Sequence, residues 1–293
     1  MRNKTSRSAE HVTLFRALES ARGRDKIFDD PYAVKFLPGP YRLVARLARV
    51  PAIGRQVEHY IDERWPAGPR ASAVARTRLI DDLVGEAFAD GAGQVLLLGA
   101  GYDSRAYRLA AMGSARVFEI DHPATQKTKL RFIRAHVRPD RRAHVRFVPV
   151  DLDRDDLATA LREHGFAGRE RTVVVWEGVT NYLTGHAVDA TLRGLAGLTA
   201  GGSRLIFTYV DRAALDGTGG FSGVEEWHAA VRRNGEPWTF GFDPDELARY
   251  LSERGMRLSL DMSAHAAADR YLTPLGRHER AAPFYRIAQA EVL

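Results

Sequence analysis

The chain has 293 residues, 45% hydrophobic and 27% charged, which suffices to bury the core of one large α/β domain with additions or of two small domains. The absence of cysteine excludes disulfides, thiolate nucleophiles and cysteine metal sites, and no apolar run reaches the length of a membrane span. The formal charge of +6 comes from dispersed arginines, and their densest stretch, residues 131–146, carries few aromatics and reads as solvated surface rather than a nucleic-acid footprint.

Residues 1–90 are mostly helical in pattern, and their basic start lacks the apolar core of a signal peptide, so a cytoplasmic location is expected. Val12, Leu14, Phe15 and Leu18 share a face, Asp29-Asp30-Pro31-Tyr32 turns into a helix, and residues 41–47 form a short apolar stripe. Pro38-Gly39-Pro40 and Pro66-Ala67-Gly68-Pro69 break the pattern, so these helices are expected to cap the ligand side of a sheet. The helical stripe 76–84 runs directly towards the first strand. Arg76 at its start can hold a ligand carboxylate through two parallel hydrogen bonds, or serve as a surface ion-pair partner.

Residues 94–109 organise the rest. An apolar strand at 95–98 runs into Gly99-Ala100-Gly101, and helical character returns at 105–109. A buried parallel strand, a glycine turn and a helix start open a nucleotide-binding crossover, with glycine needed where the backbone passes beneath a ligand. By themselves the two glycines fit an ordinary strand-to-helix turn equally well. A dinucleotide site would have a third glycine where this chain has Ser104, and Asp103 beside it would repel a diphosphate. The turn suits a cationic adenosyl ligand better, and S-adenosylmethionine is such a ligand. Gly99, Gly101 and Asp103 are therefore candidate cofactor-binding residues.

A second strand at 116–120 ends in Glu119-Ile120-Asp121. Both acids lie about where a doubly wound fold places the ribose-binding carboxylate, and Asp121 is nearer the carboxyl end. The third strand, 145–150, ends in Asp151-Leu152, able to pair with the adenine amino group and cover the ring. The fourth, 172–176, stops at Glu177, a costly carboxylate unless an ammonium group meets it. A helix at 188–198 and a strand at 205–209 follow. Regularity then fails over 211–240, where Gly217, Gly219, Gly220 and Gly223 mix with Phe221, Trp227 and Trp238, as expected of a substrate lid or a packing loop. A capped helix at 243–254 and an antiparallel edge pair at 257–262 and 285–291 complete an α/β fold.

The series Arg-Thr-Arg-x-Ile-Asp, Leu-Gly-Ala-Gly-Tyr-Asp-Ser-Arg-Ala-Tyr-Arg-Leu, Phe-Glu-Ile-Asp-His-Pro, Val-Asp-Leu and Trp-Glu-Gly-Val-x-Asn-Tyr-Leu resembles the leucine carboxyl methyltransferase family. The resemblance implies a Rossmann-like class I methyltransferase using S-adenosylmethionine. It further implies a mostly parallel seven-stranded sheet with helices on both faces, a helical cap over 1–90, and a catalytic domain over 91–293 with the 211–240 insert. By position, Arg76 would hold the methionine carboxylate, Gly99 the turn, Asp121 the ribose, Asp151 and Leu152 the adenine, and Glu177 the methionine amino group. Tyr182 matches the family tyrosine that faces the substrate. Asp153 stands where many relatives have an arginine that helps hold a substrate carboxylate, which counts against a phosphatase C-terminus as acceptor.

The expected activity is O-methylation of a carboxylate or hydroxyl of a small molecule, with no metal, nucleic-acid or membrane partner. Protein C-terminal carboxyl methylation, a nicotinamide dehydrogenase and a non-catalytic cofactor-binding protein are the alternatives. A hydroxyl acceptor needs a base, for which His228, Tyr209 and Tyr182 are candidates.

Overall fold

The computed structural model describes residues 6–152 and 154–293, so Asp153 lies outside the described residues. Ahead of the sheet come α1 (Arg7–Ala21), α2 (Ala33–Phe36), α3 (Gly39–Leu47), α4 (Pro51–Arg64) and α5 (Pro69–Ala89). The alternating part runs β1 (Gln94–Leu98), α6 (Arg105–Arg108), β2 (Arg116–Asp121), α7 (Pro123–His136), β3 (Val145–Pro149), α8 (Leu157–Glu163), β4 (Thr172–Trp176), α9 (Gly185–Leu198) and β5 (Arg204–Val210). It is followed by α10 (Arg212–Leu215), α11 (Val224–Arg233), α12 (Pro244–Ser252), β6 (Met256–Ser263), α13 (Ala264–Tyr271) and β7 (Tyr285–Val292).

The strands form one seven-stranded sheet in the order β3-β2-β1-β4-β5-β7-β6. The first five are parallel, and β7 runs antiparallel to both β5 and β6, as the sequence leads one to expect of the last pair. Every residue of β1 and β4 is buried because helices cover both faces, which is why these strands read as unbroken apolar runs. The faces alternate with period two. Val95, Leu97, Val173 and Val175 join the core under α5 and α13, whereas Leu96, Leu98, Val174 and Trp176 join the core under α9 and α12. The chain reverses its direction of winding between β1 and β4, and the crevice at their carboxyl ends is where such folds take ligands.

Gly68 and Pro69 start α5. Gly68 has φ 69°, and a Cβ there would meet the Arg280 carbonyl oxygen at 1.9 Å, while Pro69 supplies a preset first helical residue that needs no donor. α5 covers the sheet, whereas α1 to α4 share a small apolar core of their own that includes Leu14, Leu18, Leu37 and Ala45. The 211–240 insert holds a regular helix where the sequence reads as irregular. In α11, Glu225 and Glu226 sit in the first turn and Arg232 and Arg233 in the last, complementing the helix dipole. The neighbouring glycines hide that signal, and Gly223, φ 76°, is the helix's N-terminal cap. Among the described residues no helix is long and apolar enough to cross a membrane.

Candidate active site

Because β1 and β4 are neighbours, their carboxyl ends bring the Gly99 turn beside Glu177. Gly99 has φ 63°, and a Cβ on it would lie 2.4 Å from a Val179 methyl. Gly99→Ala is expected to cost about 1–3 kcal/mol through left-handed strain and overpacking, read as a lower urea midpoint. Gly101 (φ 41°) and Gly178 (φ 70°) differ: a Cβ would meet nothing closer than 3.7 Å and 3.9 Å respectively. Both glycines line a cavity and keep room in it for a ligand.

The turn is held by charge. Arg105 is buried, with Nε donating to Asp81 at 2.7 Å and Nη1 to Asp103 at 2.6 Å and to Glu177 at 2.7 Å. Arg76 Nε donates to the other Glu177 oxygen at 2.7 Å, and its guanidinium lies 4.9 Å from the Tyr285 ring centroid. Burial alone would raise the Glu177 carboxyl, but Arg105 and Arg76 outweigh it and hold the group down to about 2 from an ordinary 4.5. Asp103 is likewise lowered: Arg105, Arg16 and Lys129 overcome the burial that would raise it.

Linkage fixes the sign of the acid response. Glu177 has its pKa depressed by folding, so its stabilisation is complete above about 4.5 and is lost as pH falls towards about 2. The melting temperature of wild type should therefore drop more steeply below pH 4.5 than that of Glu177→Gln. Equal slopes would mean the carboxylate is not held by its arginines.

Asp121 and Glu119, two residues apart on β2, have different surroundings. Asp121 accepts the N–H of Gly101 at 2.6 Å and of His122 at 2.7 Å, and faces the cavity. Burial pushes its carboxyl up against those hydrogen bonds. Glu119 lies deeper, paired with Lys129 at 2.8 Å and accepting the Tyr107 hydroxyl at 2.8 Å. Its role in the turn is structural, since Lys129 also donates to the Ala100 carbonyl at 3.3 Å.

Arg76, Gly99, Gly101, Asp103, Asp121, Asp151, Leu152, Glu177 and Tyr182 all line one cavity of about 950 Å³. Both Asp103 oxygens have partners within the turn: one takes the Arg105 backbone N–H and the other its guanidinium. Ser104, in the third-glycine position, donates to Asp30 at 2.6 Å and accepts from Arg16, which also holds the Tyr102 carbonyl. The turn is thus closed by a buried ion pair from α1 in place of a glycine approach. Of the proposed bases, Tyr209 is buried against Asp261 and Arg286, and His228 stacks on Trp238; neither lines the cavity. Burial and the neighbouring Tyr285 push Tyr182 up to about 12, which disfavours it as a base at neutral pH.

The outer half of the cavity is walled by Tyr41, Val44, Ile53, Val57 and Ile61 from α3 and α4, with Trp227 and Val231 from α11 and Trp238 beyond it. The insert is tied over it where Glu236 accepts the Ser8 N–H at 3.1 Å and Thr239 donates to the Asn181 carbonyl at 2.8 Å. His11 of α1 also faces this space, its Nε2 3.1 Å from the Tyr41 hydroxyl. Burial lowers its pKa, which Glu236 partly offsets, so the ring is neutral near pH 7. Sequence reasoning missed Arg105 and His11. Arg105 had a signal in its position two residues after Asp103 in the turn motif, whereas His11 had none, because its partner lies thirty residues away.

Residues 9–196 match the family model described as leucine carboxyl methyltransferase. The chain belongs to the leucine carboxyl methyltransferase family. A family relative from Mycolicibacterium smegmatis is 35% identical over 76% of this chain and 73% of its own length. Another, from Streptomyces coelicolor, is 32% identical over 87% and 88%. Both are provisionally named S-adenosyl-L-methionine-dependent methyltransferases. In fold the chain is similar to a Thermobifida fusca structure provisionally described as a methyltransferase (TM-score 0.58, 16% identity, 99% of this chain and 96% of that one). A DUF574 family protein from Streptomyces avermitilis gives a TM-score of 0.55 at 15% identity over 95% and 97%. This family member is an S-adenosylmethionine-dependent methyltransferase with a class I fold, and the nicotinamide alternative falls.

The residues present suit that cofactor. Glu177 offers a permanent negative charge to an ammonium group, and Arg76, using only Nε towards the protein, keeps its terminal nitrogens for a carboxylate. Asp121, fixed by two backbone N–H groups, retains lone pairs for hydroxyls.

Proposed function

We propose that the chain transfers a methyl group to a hydroxyl of a largely apolar small molecule. In this reading Arg76 and Glu177 hold the amino-acid end of the cofactor, Asp121 the ribose, Asp151 and Leu152 the adenine, and Tyr182 faces the acceptor. Bound S-adenosylmethionine supplies a methyl carbon already activated by a sulfonium. The chain's own contribution is alignment and exclusion of water, which in favourable cases supplies about 7–11 kcal/mol of the barrier.

The observation that carries the hydroxyl reading is the outer half of the cavity, which is apolar and aromatic and offers no unspent buried cation to a carboxylate. Arg16 is committed to Asp30, Arg76 stands at Glu177, and Arg64 and Arg233 are exposed on the rim. In place of a cation it has His11, with Nε2 held by Tyr41 and Nδ1 left to take the acceptor proton. Carboxyl methylation of a protein C-terminus draws no support from this wall.

Acceptors can be screened with radiolabelled S-adenosylmethionine, and the product treated with alkali. A methyl ether keeps its label, as the proposal expects; release of the label as methanol marks an ester and sinks the hydroxyl reading. On a hydroxyl acceptor, His11→Ala is expected to lower kcat about a hundredfold with S-adenosylhomocysteine affinity unchanged.

A further inference from the structure

Six large hydrophobic side chains are strongly exposed among the described residues, and four of them fall within residues 43–60: Leu43 (59%), Leu47 (47%), Val50 (52%) and Tyr60 (69%). Leu43 and Leu47 are one helical turn apart and share a face of α3, and Val50 links α3 to α4. The same stretch is basic. No acidic residue occurs from Ala33 to Val57, which carries Lys35, Arg42, Arg46, Arg49 and Arg55. Arg42 is spent on the carbonyls of Lys35 and Leu37, whereas Arg46, Arg49 and Arg55 are exposed and make no ion pair with a described residue. Of the acids that follow on α4, Glu58 is engaged by Arg22 and Arg70 and Asp62 by Arg70, and Glu63 lies exposed beside His59.

Exposed leucines interleaved with unpaired arginines are the pattern of a helix that lies in a lipid interface, its apolar side chains among the acyl chains and its cations at the headgroups. We infer that α3 and α4 form a docking surface for an anionic lipid bilayer. A second copy of the chain fits less well: a two-fold interface would bring together two faces of the same positive sign, with no acidic residue from Ala33 to Val57 to offset them. The patch is continuous with the cavity, because Tyr60 is exposed and also lines it, and the opposite side chains of these helices, Tyr41, Val44 and Val57, form its wall. Docking would therefore set the cavity mouth against the membrane. This amends the expectation of no membrane partner, which rested on the lack of a spanning segment.

The test is co-sedimentation of the full chain with vesicles of phosphatidylcholine alone and of phosphatidylcholine with phosphatidylglycerol. Binding is expected only to the anionic vesicles and to weaken with salt. Arg46→Gln/Arg49→Gln should lower partitioning about thirtyfold, taking each cation's contribution near a charged surface, and Leu43→Ser/Leu47→Ser by at least about tenfold. None of these four residues lines the cavity, so S-adenosylhomocysteine affinity should be unchanged and reports that each variant is folded. No binding to anionic vesicles, or equal binding by wild type and both folded variants, overturns the inference. A dimer in solution that Leu43→Ser/Leu47→Ser dissolves would overturn it in favour of a second copy.

Discussion

Arg105→Met is expected to lower stability by about 3–5 kcal/mol and to abolish cofactor binding, the largest effect of any single substitution in the site. The guanidinium holds three carboxylates at once, those of Asp81, Asp103 and Glu177, from a position of 1% side-chain exposure. Its removal leaves Asp81 with Arg108 and Glu177 with Arg76, but Asp103 with the residue-105 backbone N–H and only the more distant charges of Arg16 and Lys129. The unpaired charge then sits under the glycine turn, where it can be relieved only by protonation or by opening the turn. Arg105→Lys should recover part of the stability, because one ammonium cannot span three carboxylates in the plane of a guanidinium. Urea denaturation reads the effect. A midpoint within experimental error of wild type would mean the turn does not depend on this residue.

Glu177→Gln should act on both fold and affinity: at neutral pH it forgoes the stabilisation that the ionised carboxylate draws from Arg105 and Arg76, and it removes the affinity of the folded protein for the amino-acid end of the cofactor. The amide keeps the shape and one hydrogen-bond acceptor, but it withdraws the negative charge offered to an ammonium group. Loss of one partner of a buried charge pair costs about 2–4 kcal/mol, a fall in affinity of roughly thirty- to a thousandfold. Adenosine, which lacks the amino-acid end, should bind wild type and variant alike. If adenosine affinity fell as far as that of S-adenosylhomocysteine, Glu177 would be acting through the shape of the turn rather than its charge.

Strand ends were legible in the sequence because the chemistry of this fold concentrates there. Buried parallel strands such as 95–98 and 172–176 show as apolar runs, and the residue that stops each run, Gly99 or Glu177, stands out against it. The competing acids of β2 could not be separated by spacing, since Glu119 and Asp121 share a face; depth separates them, and depth depends on Lys129 arriving from α7. The partner of Asp103 was hidden for a similar reason, because its neighbour Arg105 folds back onto it. Distance in sequence hid the outer half of the cavity: its wall joins α1, α3, α4 and α11, and contacts such as Ser8 with Glu236 cross most of the chain. In the insert, the last of the glycines that read as irregular, Gly223, caps the start of a regular helix, α11.

Isothermal titration calorimetry with S-adenosylhomocysteine, comparing wild type with Glu177→Gln and with NAD as a control ligand, tests the site assignment most directly. One-to-one binding of S-adenosylhomocysteine to wild type, a loss of roughly thirtyfold or more in the variant, and no heat with NAD are expected. Undiminished binding by Glu177→Gln would contradict the assignment of the amino-acid end, and saturable binding of NAD in place of S-adenosylhomocysteine would contradict the reading of the cavity as a whole.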